Sequence, residues 1–180
     1  MTRIAIPAVD QTPDASRPVL DTVTRQLKMT PNLFRIMALS PAALNGWAGL
    51  QGPLSKTFDA KIRDGIALAV SQVNACHYCL SAHTYVASTM ANISDDEIRR
   101  NRLGHSEHPR TEAAVAFAKK LMQTRGKVSD DDFRKVREAG FSEANIVDII
   151  ALSAQFTMTN LINNAFDTEI DFPVVHPEAA

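Results

Sequence analysis

The sequence predicts a single all-α domain of six to eight helices. Apolar residues recur at spacings of three and four along most of the chain, and N-cap residues stand before several of these stretches. No segment alternates polar and apolar residues as a half-buried strand does. With 180 residues, the chain is long enough to bury a core in one domain. The sequence contains no glycine-rich phosphate loop, long repeat or low-complexity tract.

The first half of the chain divides into an arm followed by helical segments. Residues 1–18 contain three prolines and no helical period, which predicts an extended N-terminal arm before a helical domain at 19–170. The clearest helical pattern places Ile62, Ile66 and Val70 on one face. The expected helices of this half are 21–28, 31–39, 42–50, 59–73 and 76–90.

The second half contains further amphipathic stretches and a tail. Ser94 and Glu97 have the spacing of a capping box, which predicts the start of a short polar helix. Ser129 and Ser142 precede two further helical patterns, of which the last is long and apolar. Residues 171–180 contain two prolines and are expected to form an extended C-terminal tail. The expected helices here are 94–104, 111–125, 129–140 and 142–164.

The overall composition is that of an ordinary globular protein. Apolar residues make up 45% of the chain and the net charge is -1, so charge gives no reason to expect nucleic acid or an anionic membrane as partner. No run approaches the roughly 20 apolar residues of a membrane span, and the first twenty residues have no hydrophobic signal core. A cytoplasmic location is therefore expected. Because thiols are kept reduced there, two cysteines indicate a catalytic or metal-binding role rather than a structural disulfide.

The two cysteines and a histidine form the most informative pattern in the chain. On a helix, Cys76, Cys79 and His83 fall within an arc of about 60°. A reactive cysteine must be a thiolate, and three features could lower a thiol pKa here. Asn74 is expected to be an N-cap that places Cys76 in the first helical turn, His83 lies one turn after Cys79, and the two thiols can share a proton.

A carboxylate in the preceding helix is the candidate partner of this histidine. Asp64 stands on an apolar stripe, where a buried charge needs a partner. If the two helices pack as a hairpin, Asp64 would orient His83, and His83 would activate Cys79. A solvated aspartate near the start of a helix is the alternative reading of Asp64. His77 and Tyr78 point away from the thiol face, which predicts a surface histidine and a packing or oligomer contact for the tyrosine.

Two structural readings of the cysteine pair remain open. Cys76, Cys79 and His83 could be three ligands of a structural zinc ion, with a fourth from another histidine, although the chain has no second ligand pair. The cysteines could also be inert core residues. Haem attachment is excluded because Leu80, not histidine, follows the second cysteine.

The pattern D-x11-C-x2-C-x3-H from Asp64 to His83 resembles the alkylhydroperoxidase D (AhpD)-like family of the carboxymuconolactone decarboxylase-like superfamily. The match is strongest over 56–90, and the segments 31–34, 159–164 and 167–173 resemble its peroxidase-related subgroup. The family usually has glutamate in place of Asp64 and a second histidine in place of Tyr78. A tyrosine cannot replace histidine as a base near neutral pH.

The resemblance implies an antiparallel helical core, a homo-oligomer such as a trimer or hexamer, and a peroxidase that uses neither metal nor cofactor. By position, Cys79 is the thiolate attacked by peroxide, Cys76 the resolving thiol, His83 the proton relay and Asp64 the upstream acid. The disulfide would be reduced by a dithiol partner, such as a lipoyl or thioredoxin-like protein.

The sequence thus predicts a thiol-dependent alkyl hydroperoxide reductase in antioxidant defence. One alternative is a thiol–disulfide oxidoreductase acting on protein substrates, which needs the same activated cysteine pair. The other is a non-catalytic helical oligomer stabilised by zinc.

Overall fold

The computed structural model describes residues 2–177, and these contain nine α-helices and two short 3-10 helices, with no strand among them. The all-α class is confirmed. The expected six to eight helices are too few, because even the shortest predicted segments are separate helices. The helices are α1 (Arg17–Leu27), α2 (Asn32–Met37), α3 (Pro41–Leu54), α4 (Ala60–Val73), α5 (His77–Thr89), α6 (Asp95–Arg102), α7 (Pro109–Gln123), α8 (Asp130–Glu138) and α9 (Glu143–Phe166).

The N-terminal segment is less extended than the sequence predicts. Its described part contains 3-10 helices at Val9–Gln11 and Asp14–Ser16, and the last two residues of 1–18 already belong to α1. The segment is fixed to the domain at both ends. Backbone N–H of Arg3 donates to Phe166 O at 2.7 Å, and Arg35 Nε donates to Pro7 O at 2.7 Å.

Side-chain caps set the starts of most helices. Asp59, Ser129 and Ser142 each accept a hydrogen bond from a backbone N–H three residues later, and for the two serines the sequence predicts these helix starts. Such a cap contributes about 1 kcal/mol by satisfying a donor that the helix leaves free. The expected capping box at Ser94 is only half formed. Ser94 caps the helix, but the Glu97 carboxylate accepts hydrogen bonds from the 105–107 loop instead.

Helix α4 lies at the centre of the domain and packs against α5, α6, α7 and α9. Its close approach to α6 and α7 depends on Gly65, where a Cβ atom would overlap the side chains of Asn101 and Val115. One apolar cluster joins α4 to α7, α8 and α9. A second cluster contains both cysteines and is covered by residues of α1, α2 and α3. The cysteine pair therefore belongs to the protein interior.

Helix α9 is, within residues 2–177, the one helix long and apolar enough by length and composition to cross a membrane. The sequence pattern predicts no membrane span. Core helices of globular domains meet the same criterion. Here 39% of the apolar window is buried, and α9 packs against α3, α4, α5 and α7. It carries buried polar residues with hydrogen-bond partners on α3 and α4, such as Gln155 and Asn160.

Candidate active site

The cysteines lie at the turn between α4 and α5. Asn74 ends α4, Ala75 adopts a left-handed conformation with φ of 49°, and Cys76 is the N-cap of α5. The Cys76 sulfur accepts the backbone N–H of Cys79 at 3.2 Å. The expectation that Asn74 caps α5 is wrong, because the chain turns sharply at Ala75 and shifts the cap by two residues. Cys79, not Cys76, therefore lies in the first turn, near the positive end of the helix dipole.

Both cysteines are free and almost inaccessible to solvent, Cys76 being 0% and Cys79 3% exposed. Burial opposes ionisation of Cys79, but the polar side chains near its sulfur outweigh burial and lower the pKa of the thiol. These side chains are Cys76, Asn163, Asn160 and Thr159. The hydrogen bond to Cys79, together with burial, raises the pKa of Cys76. The pair is therefore asymmetric: Cys79 ionises first and Cys76 keeps its proton.

The side-chain hydrogen bond to the Cys79 sulfur comes from α9. Asn163 Nδ2 donates to Cys79 Sγ at 3.2 Å. One turn earlier, Asn160 Nδ2 donates to Ser71 Oγ at 3.2 Å, and Asn160 Oδ1 accepts from Asn74 Nδ2 at 2.9 Å. From the sequence, the asparagine-rich segment 160–164 suggests an interface, and nothing in it indicates a contact with the cysteines. Segment 159–164 also resembles the peroxidase-related subgroup.

Asp64 and His83 face each other, as the hairpin of α4 and α5 predicts, but they do not form a hydrogen bond. His83 Nδ1 and Asp64 Oδ1 are 3.9 Å apart, and Nδ1 has no hydrogen-bond partner within residues 2–177. Burial raises the pKa of Asp64 to about 6, opposed by the charge of Arg63. Burial also lowers the pKa of His83 to about 4. Near pH 7 a neutral imidazole thus faces a largely ionised carboxylate.

The imidazole of His83 is not a hydrogen-bond partner of Cys79 in the described part of the chain. Its ring packs edge-on against Phe156, with centroids 5.2 Å apart, and about a quarter of the side chain is exposed. The direct activation of Cys79 by His83 that the spacing suggests is therefore absent. The histidine faces the Asp64 carboxylate and is itself partly exposed to solvent, a combination suited to moving protons.

Tyr78 has a structural role next to the site, because its side chain joins three segments of the chain. Its ring is buried, its hydroxyl donates to Asp171 Oδ1 at 2.7 Å, and the hydroxyl oxygen accepts the N–H of Leu33 at 3.2 Å. The ring packs against Phe172, with centroids 5.8 Å apart. Tyr78 thus joins α5 to α2 and to the C-terminal segment. The neighbouring His77 is exposed, as predicted, and its Nδ1 lies 3.2 Å from His176 Nδ1.

Metal ligation would need several donors in one place. In the described range, no three His, Cys, Asp or Glu side chains are arranged to hold a metal ion.

The helical architecture is that of an all-α domain with an AhpD-like fold. Residues 41–120 match the model of the carboxymuconolactone decarboxylase family. The resemblance to AhpD-like proteins of this superfamily is thereby confirmed. A comparison with curated proteins found no significant match.

Solved structures share this fold across nearly the whole chain. A peroxidase-related protein with an AhpD core from Ralstonia eutropha JMP134 is 24% identical, with a TM-score of 0.82 over 94% of this chain and 92% of that one. A peroxidase-related protein from Silicibacter sp. TM1040 is 24% identical, with a TM-score of 0.79 over 93% and 91%. The debrominase Bmp8 is 21% identical, with a TM-score of 0.75 over 88% and 87%. These similarities concern the fold.

Proposed function

We propose that this chain is a thiol-dependent peroxidase that cycles Cys76 and Cys79 between dithiol and disulfide. One observation carries the proposal. Two buried thiols lie together at the start of α5, and the amide of Asn163 donates to the sulfur of Cys79. The pKa of Cys79 is lowered and that of Cys76 is raised, so that Cys79 is the nucleophile and Cys76 the proton-bearing partner. The AhpD-like fold and the peroxidase-related structural neighbours support the same reaction class.

The reaction balances in three steps. The Cys79 thiolate attacks the distal peroxide oxygen, the O–O bond breaks, and the alkoxide takes a proton to leave as an alcohol. Cys79 becomes a sulfenic acid. The Cys76 thiol condenses with it, forming the disulfide and releasing water. An external dithiol then reduces the disulfide by exchange and is itself oxidised.

His83 and Asp64 serve proton transfer in this scheme. A neutral imidazole can accept a proton at one nitrogen while it donates from the other, which suits the delivery of a proton to the alkoxide. The ionised Asp64 carboxylate orients the ring and stabilises the imidazolium that forms briefly. The 3.9 Å separation leaves this orientation looser than a direct hydrogen bond would.

A thiol count tests the proposal. Free thiols per chain are titrated in the reduced protein before and after one equivalent of cumene hydroperoxide. We expect two thiols to disappear in the wild type, and Cys79→Ser to consume no peroxide. Cys76→Ser should instead accumulate the sulfenic acid, detected by mass spectrometry. Persistence of both wild-type thiols at excess peroxide would contradict the proposal.

Two other reactions would use the same thiol pair. A thiol–disulfide oxidoreductase would reduce insulin faster than cumene hydroperoxide. The likeness to the debrominase Bmp8, which has been solved as a cysteine-to-alanine variant with 2,3,4-tribromopyrrole, raises reductive debromination as the second possibility. That reaction would convert C–Br to C–H with release of bromide, and two thiols would supply the electrons. Parallel turnover on the three substrates ranks these reactions.

We place the reaction in the cytoplasm, with a lipoyl or thioredoxin-like dithiol protein as reductant, since that compartment keeps thiols reduced. We also propose a homo-oligomer, a trimer or hexamer. An exposed apolar stripe on α9 supports this, with Val147 63% and Leu161 62% exposed. Sedimentation equilibrium should show a single oligomer that dissociates in Leu161→Lys, while the exposed Leu39→Lys control remains assembled.

A further inference from the structure

We propose that Asn163, supported by Asn160, forms a hydrogen-bonding site on α9 that holds the Cys79 sulfur as a thiolate. This inference rests on the proposed function, in which the Cys79 thiolate is the nucleophile. It concerns the sulfur before any substrate arrives, so it can be tested without turnover. An amide on α9 thus stabilises the Cys79 thiolate, the role that the sequence predicts for His83.

The contact itself is direct and buried. Asn163 Nδ2 lies 3.2 Å from Cys79 Sγ, and both side chains are 3% exposed. Sulfur accepts hydrogen bonds weakly as a thiol and strongly as a thiolate, so a donor at this distance favours the ionised form. Water has almost no access to replace the amide. Removal of the donor should therefore leave the sulfur without compensation for its burial.

The amide is positioned by a network that joins α9 to both sides of the cysteine turn. Asn160 Oδ1 accepts from Asn74 Nδ2 at 2.9 Å, and Asn160 Nδ2 donates to Ser71 Oγ at 3.2 Å. Asn164 Nδ2 donates to the Asn74 carbonyl oxygen at 2.9 Å. The residues 160, 163 and 164 share one face of α9 because of their spacing. This face fixes the register of α9 against the turn and places Asn163 beside the sulfur.

A neutral donor suits this site better than a charged partner would. A cationic histidine would stabilise the thiolate only at a pH where the imidazole is protonated. The pKa of His83 is lowered to about 4, so the ring is uncharged near neutral pH. Amide donors keep their hydrogen atoms at every pH. The thiolate can therefore persist in a buried site while the histidine remains free for proton transfer.

The test measures the pKa of Cys79 in a Cys76→Ser background, in which it is the only thiol. The ultraviolet absorbance of the thiolate is followed against pH in this protein and in two variants of it. Asn163→Leu should raise the pKa of Cys79 by about 1 to 2, the typical effect of one lost hydrogen bond to a charged group. Asn163→Asp, which keeps the shape but adds a negative charge, should raise it further.

The matched control is Gln155→Met. Gln155 is buried on the same helix and donates to Gln51 at 2.7 Å, away from the cysteines. Its loss should leave the pKa of Cys79 unchanged. The proposal is overturned if Asn163→Leu leaves that pKa unchanged, or if the control raises it equally. If the leucine variant fails to fold, an unchanged pKa in the near-isosteric Asn163→Asp overturns it instead. A pKa that responds as expected in a protein that consumes no peroxide would refute only the proposed function.

Discussion

The hydroxyl of Tyr78 donates to the carboxylate of Asp171 at 2.7 Å, across 93 residues of sequence. The other oxygen of this carboxylate accepts the backbone N–H of Asn32 at 2.8 Å. One aspartate thus joins the helix that carries Cys79 to the start of α2 and to the C-terminal segment. These hydrogen bonds attach α2, which covers the cysteine pair, to α5.

Removal of the Tyr78 hydroxyl should therefore loosen the domain. Tyr78→Phe leaves the Asp171 carboxylate and the N–H of Leu33 each short of a partner, and we expect a loss of about 1–3 kcal/mol in the free energy of unfolding. Urea denaturation followed by circular dichroism measures it. The control is Tyr85→Phe, since Tyr85 also packs on Phe172 but is 39% exposed. Equal losses in the two variants would contradict this role of the buried hydroxyl.

The pKa shifts of Asp64 and His83 make opposite contributions to stability. The native state binds the Asp64 proton more tightly than the unfolded state, with a pKa of about 6 against 3.8, so this group lowers stability as pH rises from about 4 to 6. The native state binds the His83 proton less tightly, with a pKa of about 4 against 6.5, so this group raises stability as pH rises over 4 to 6.5. In the wild type the two slopes largely cancel.

Single substitutions should reveal each slope. The free energy of unfolding of Asp64→Asn should increase as pH rises from 4 to 6.5. The free energy of unfolding of His83→Gln should decrease as pH rises from 4 to 6. Each change is about 3 kcal/mol across its window, at about 1.36 kcal/mol per pH unit. Urea unfolding at a series of pH values in this range measures both. Parallel curves for the two variants would exclude this account.

A longer carboxylate should close the gap to the histidine. Asp64→Glu adds one methylene, enough to bring an oxygen from 3.9 Å into hydrogen-bond range of His83 Nδ1. We expect the pKa of His83 to rise by about 1 or more, because a carboxylate in contact favours the imidazolium. Titration of the ring by NMR measures this, with Asp64→Gln as the uncharged control of equal length. An unchanged pKa in Asp64→Glu would show that the two side chains do not approach.

The packing at the centre of α4 should tolerate no added methyl group. Gly65→Ala would overlap Asn101 and Val115, and the resulting strain should cost about 1–3 kcal/mol. Gly49→Ala is the matched control within α3, because nothing lies within 4 Å of a Cβ there. Alanine forms helices better than glycine, so this control should gain about 0.5–1 kcal/mol. Thermal or urea unfolding gives both values, and a stable Gly65→Ala protein would refute the close approach.

Local signals in the sequence account well for the helices. Asp59, Ser129 and Ser142 mark helix starts because an N-cap acts on residues only three positions away. The cysteine turn is harder to predict. Ala75 adopts a left-handed conformation without the glycine or asparagine that usually signals one, so the helix start at Cys76 has no local warning. For this reason the sequence places Cys76 in the first turn of α5, whereas in the structure Cys79 lies there.

The partners of the site could not be predicted from spacing. Asn163 and Cys79 are 84 residues apart, and only the packing of α9 on the α4–α5 hairpin brings them together. Asp64 and His83 were predicted as neighbours because two consecutive helices commonly form a hairpin. Their 3.9 Å separation depends on side-chain length and helix register, which the sequence pattern does not define.

The helices α1, α2 and α3 cover the cysteine pair, and under the proposed function this burial would separate the peroxide from the reductant by size. A small hydroperoxide can diffuse inward through brief gaps between side chains. A dithiol protein would have to wait until the covering helices part far enough to admit its own thiol. Oxidation would then proceed at the pace of side-chain motion and reduction at the pace of local unfolding. The disulfide would accumulate whenever peroxide arrives faster than the fold opens.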